Sequence, residues 1–117
     1  MSQAGVASMR TRIKYCGLTR EQDLRAAVAA GADALGFVLW PGSSRYVDVA
    51  RLAELAAQVP AFVTRVGLFV DPEPELVRQV TPYLDLLQFH GNETPAFCAT
   101  FERPWIKALR MRDNLDL

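Results

Sequence analysis

Apolar residues along this chain follow two rhythms that take turns. Residues 12–16 alternate and stop at Gly17, the period-two pattern of a short strand. Thr19 and Gln22 then stand at capping-box spacing, and Leu24, Ala27 and Val28 recur at helical intervals until Gly31. Residues 34–39 run apolar without alternation, as a strand buried on both faces does. A polar loop follows at 40–47. Asp48 heads a helix whose stripe is Leu52, Leu55, Ala56 and Val59, and Pro60 ends it. Residues 62–70 read as a third strand, and Asp71-Pro72 opens a helix carrying Leu76, Val77 and Val80. Pro74 is harmless there, because first-turn amides have no intrahelical partner. A fourth strand at 84–89, a helix opened by Thr94-Pro95 and a fifth strand at 105–109 complete the series. Phe97, Cys98 and Phe101 form the inward side of that last helix.

Strands that alternate with helices at intervals of roughly 20 to 30 residues predict βαβ units and a parallel sheet, the α/β class. Such a run closes either as an open doubly wound sheet or as part of a (β/α)8 barrel. A nucleotide-binding open sheet carries a G-x-G-x-x-G first turn. Here that turn is Cys16-Gly17-Leu18-Thr19, with one glycine, which favours the barrel. The expected architecture is a partial TIM barrel of four βα units plus a fifth strand. It would occupy residues 12–117, with residues 1–11 as an N-terminal extension in which Met9 is an alternative start.

Charge narrows the range of partners. Thirteen basic and thirteen acidic residues cancel and are scattered, which argues against nucleic acid or an anionic membrane. The longest apolar run, 34–40, is bracketed by Asp33 and Pro41 and falls short of the roughly 18 residues of a membrane span. The first residues lack the basic-then-apolar layout of a secretory signal. Cys16 and Cys98 make no disulfide framework or zinc spacing, and His90, the single histidine, anchors no metal alone. The expected compartment is the reducing cytoplasm.

Barrel enzymes carry their chemistry at the C-terminal ends of strands. This chain places Cys16, Trp40 with Arg45, Asp71 and His90 there. Each has a plainer reading: a buried thiol, a solvated charge, a helix cap at Asp71, a turn residue at His90. Their convergence on one rim is what weighs against those readings. Lys14 shares a face with Cys16, and Gln88 with His90. An inward lysine beside the thiol would favour the thiolate; alternatively it pairs with a carboxylate inside the barrel.

At these residues the chain resembles the phosphoribosylanthranilate isomerases, the (β/α)8 barrels of tryptophan biosynthesis. The resemblance is carried by Lys14-Tyr15-Cys16-Gly17-Leu18-Thr19, by the run from Gly31 to Val38, and by the loop Pro41-Gly42-Ser43-Ser44-Arg45-Tyr46. The strand from Arg65 to Val70, Leu87-Gln88-Phe89-His90-Gly91 and Ile106-Lys107-Ala108 continue it in unbroken order. It implies an Amadori rearrangement of N-(5-phosphoribosyl)anthranilate to 1-(2-carboxyphenylamino)-1-deoxyribulose 5-phosphate, with no metal or organic cofactor. By motif match it implies Cys16 as the general base, Arg45 on the anthranilate carboxylate, and His90 lining the substrate pocket.

The same resemblance implies a general acid, an aspartate ending the sixth strand, and a phosphate site after strands seven and eight. It runs only through the fifth strand, and none of Asp85, Asp113 or Asp116 sits where that acid belongs. The 117 residues are therefore expected to be an N-terminal half, with the base and part of the substrate clamp. Two other readings stand beside this one. The first is another phosphate-binding barrel isomerase or epimerase, against which the Cys-Gly-Leu-Thr turn speaks. The second is a non-catalytic half-barrel that associates with another chain, or with itself, through open strand edges.

Overall fold

The computed structural model describes residues 11–108. Within them lie β1 (Lys14–Cys16), α1 (Glu21–Ala29), β2 (Ala34–Val38), α2 (Val49–Ala56), β3 (Thr64–Phe69) and α3 (Pro74–Val80). A 3-10 turn (Thr81–Tyr83), β4 (Leu86–Phe89), α4 (Pro95–Ala99) and β5 (Trp105–Lys107) follow. The five strands form one parallel sheet in the order β1-β2-β3-β4-β5, each beside its successor in sequence. A doubly wound sheet reverses its strand order at a switch point. These strands show no reversal, so the winding is that of a barrel segment, as the single-glycine first turn predicts.

The central strands β2 and β3 are packed on both faces, whereas β1 is exposed. On the helix side, Leu35, Phe37, Phe69, Leu87 and Phe89 meet Leu24, Leu52, Leu55, Val77, Val80 and Cys98 in one core. Phe69 and Phe89 stack with ring centroids 5.3 Å apart. Each such buried side chain contributes about 1.5–3 kcal/mol. On the other face Val38, Val66 and Leu68 cluster, with Ala34, Trp40 and Leu86 against them. This double burial explains why β2 shows no alternation.

Two βα units share a fastening at their N-terminal edges. Asp33 donates its N–H to the Ile13 carbonyl (2.8 Å), and its carboxylate accepts the Ile13 N–H (2.7 Å). Asp85 does the same with Arg65, at 2.8 and 2.9 Å. The Arg65 guanidinium adds two further bonds to the Asp85 carboxylate, at 3.0 and 3.1 Å. Asp85 thus sits at the opposite end of the strands from Cys16, bound to a guanidinium, and is no candidate acid. Asp113 and Asp116 lie outside the described residues.

The caps divide. Asp48 accepts from the Arg51 N–H (2.8 Å) and Thr94 from the Phe97 N–H (3.1 Å), as their spacing predicts; each cap is worth about 1 kcal/mol. The Thr19–Gln22 capping box does not form. Arg20 is the N-cap and makes no side-chain cap, while the Thr19 carbonyl accepts from the Arg51 guanidinium at 3.1 and 3.3 Å. Asp71 does not cap α3, whose N-cap is Glu73. The third strand begins at Thr64 rather than residue 62, because Phe62 is fully exposed in a turn closed by Val63 N–H to the Pro60 carbonyl.

Candidate active site

Parallel strands in consecutive order bring their C-terminal ends to one rim. Cys16 ends β1 there, exposed, on the face opposite the helix-packed core. A β-carbon built on Gly36, its neighbour in register, would lie 3.1 Å from the Cys16 Sγ, so the absent side chain leaves the thiol its space.

Gly17, next in sequence, adopts a left-handed φ of +79°, and the chain turns toward α1. The side chain of Arg45 lies over this glycine. A β-carbon at Gly17 would stand 2.4 Å from the Arg45 Cδ and 3.0 Å from one terminal nitrogen. Arg45 arrives there from the loop after β2, which is built from successive turns. Ser43 donates its N–H to the Trp40 carbonyl (3.1 Å), and its hydroxyl accepts the Arg45 N–H (3.0 Å). Tyr46 bridges back to Val38, and the Val47 N–H reaches the Val38 carbonyl (3.0 Å). The Trp40 ring covers Gly42, whose β-carbon would fall 2.6 Å from it, and so belongs to the loop's own packing.

His90 follows β4 directly. Its N–H continues the ladder to the Phe69 carbonyl (2.8 Å), and it is half-buried at the rim. Lys14 donates to the amide oxygen of Gln88, a link from β1 to β4. The inward lysine is thus paired with an amide, not with a carboxylate.

Asp71 has a role other than the expected helix cap. It takes a left-handed φ of 45°, its N–H goes to Glu93 (2.7 Å), and its carboxylate accepts the Asn92 N–H (2.7 Å). Glu93 also accepts from the Gly91 N–H (2.9 Å) and from Lys107 Nζ (2.8 Å), and Lys107 donates to the Gly91 carbonyl as well. Burial would raise the Glu93 pKa, but the Lys107 ammonium and the backbone N–H donors outweigh it and hold the carboxyl below its usual range. Nothing in the sequence joins Glu93 to Lys107, since they lie on different elements and share no period. Burial, with a push from Glu93, raises the Cys98 thiol. Among the described residues no three His, Cys, Asp or Glu side chains gather to hold a metal ion. No helix among them is long and apolar enough to cross a membrane.

Comparison with known proteins gives this rim its context. The family model for N-(5'phosphoribosyl)anthranilate (PRA) isomerase matches residues 13–117. The N-(5'-phosphoribosyl)anthranilate isomerase of Chromohalobacter salexigens is 70% identical over 108 residues, which are 92% of this chain and 51% of that protein. The crystal structure of the Thermotoga maritima enzyme superposes with a TM-score of 0.79 at 40% identity, over 84% of this chain and 50% of that one. A phosphoribosyl anthranilate isomerase in complex with reduced 1-(o-carboxyphenylamino)-1-deoxyribulose 5-phosphate gives 0.79 at 38%, over 84% and 53%. The chain spans about half the length of the curated relatives it matches. With strand order, rim and family match in agreement from the first strand to the fifth, this chain belongs to the N-(5'-phosphoribosyl)anthranilate isomerase family.

Proposed function

We propose that these residues supply the base and the carboxylate clamp of a phosphoribosylanthranilate isomerase acting in the cytoplasm. In this reading residues 12–117 are the N-terminal half of its barrel and residues 1–11 an extension. The observation that carries it is the adjacency of Cys16 and Arg45, joined through Gly17 at one rim.

The chemistry divides between two groups. A general acid protonates the ribose ring oxygen, the C1–O bond breaks, and the nitrogen lone pair forms the C1=N Schiff base. Cys16 as thiolate then takes the proton from C2; those electrons form C1=C2 and return a pair to nitrogen. The resulting enolamine tautomerises to the ketone. Arg45 holds the anthranilate carboxylate through its planar fork, a task for which its permanent charge suits it and proton transfer does not. His90 lines the pocket. The acid and the phosphate loops are assigned by family resemblance to strands six to eight. By itself the 117-residue polypeptide would leave the edges of β1 and β5 open, and we expect it to self-associate through them.

Complementation tests this reading. A chimera joins residues 1–108 to the remaining C-terminal part of the Chromohalobacter relative. It should rescue a tryptophan auxotroph lacking the isomerase, whereas the 117-residue polypeptide should not. Failure of the chimera as a folded protein would count against the function. Rescue by the 117 residues alone would show that an acid exists among them.

A further inference from the structure

Glu93 is the one buried charged residue among those described, its side chain 2% exposed. Burying a carboxylate is costly, and a buried ion pair seldom stabilises more than apolar packing would. Its placement therefore calls for a reason other than stability. The carboxylate gathers three donors from three elements: the Asp71 N–H after β3, the Gly91 N–H after β4 and Lys107 at the end of β5. Lys107 holds the Gly91 carbonyl at the same time, so both polar groups of Gly91 are fixed by one ion pair. Asp71 completes the frame. It is held in a left-handed conformation that costs roughly 1–3 kcal/mol and packs so close to Gly91 that a β-carbon there would meet its Cγ at 2.6 Å. The residue joined directly to this clamped glycine is His90.

We propose that the Glu93–Lys107 pair is a positioning device that fixes the His90–Gly91 turn, and through it the imidazole, at the rim. This rests on the isomerase reading above. Glu93 acts through His90 and not by contact with the substrate.

The test is a double-mutant cycle in the chimera, with Glu93→Gln, His90→Gln and both together, folding followed by circular dichroism. Activity of the parent chimera checks the isomerase reading separately. Glu93→Gln should lower kcat/KM by up to about a hundredfold, the scale of a misplaced active-site group. In the His90→Gln background it should add little, because the two act as a unit. If Glu93→Gln does not fold, Glu93→Gln/Lys107→Met removes both charges and takes its place in the cycle. Parent-level kcat/KM in either folded variant would overturn the proposal. So would losses that multiply with His90→Gln, or failure of both variants to fold, which would make the pair part of the fold's foundation.

Discussion

Arg45 lies across the backbone of Gly17, its Cδ 2.4 Å from where a β-carbon on that glycine would stand. The glycine thus serves twice: it adopts φ +79° and leaves the surface on which the arginine's alkyl stem rests. Gly17→Ala should cost about 1–2 kcal/mol from the left-handed backbone alone. It should also displace Arg45 and raise KM in the chimera. Thermal melts and steady-state kinetics check both; an unchanged KM with a lowered Tm would separate the glycine from the clamp.

The two thiols should differ in reactivity. Cys16 is exposed, whereas Cys98 is buried in the core with its pKa pushed up by burial and by Glu93. The thiolate is the reacting species, so iodoacetamide on the native polypeptide should label Cys16 and spare Cys98 until denaturant is added. Peptide mass spectrometry reads the outcome. Equal labelling of both would contradict the burial of α4 against the sheet.

Much of this was legible in the sequence, and the exceptions share a cause. The caps at Asp48 and Thr94 and the strand-end placement of Cys16 follow from local pattern, because each depends on neighbours within a few residues. Thr19 and Asp71 looked like caps by the same local logic. The Thr19 carbonyl is instead taken by Arg51, 32 residues away, and the Asp71 carboxylate by Asn92, 21 away. Glu93 with Lys107 likewise joins separate elements. Contacts made across the rim leave no period in the chain, so the clamp around His90 appears only once β3, β4 and β5 are side by side.

Acid should weaken the Arg65–Asp85 fastening in a defined direction. The Arg65 hydrogen bonds lower the Asp85 pKa below its unfolded value, with a smaller opposing effect of burial. The stabilisation is therefore fully present above the unfolded value of about 3.9 and is lost as pH falls through the folded one. Asp85 is 45% exposed, so solvent screening keeps the effect under about 1 kcal/mol. Asp85→Asn should lower Tm at pH 7 and converge with the parent near pH 2. A gap that persists unchanged at pH 2 would show that charge is not its source.

If Cys16 removes the C2 proton, turnover must collapse in the Cys16→Ala chimera. The predicted result is a kcat lowered by at least about a hundredfold, the scale of a general base, with KM nearly unchanged and the fold intact. A folded Cys16→Ala chimera turning over at the parent rate would contradict it.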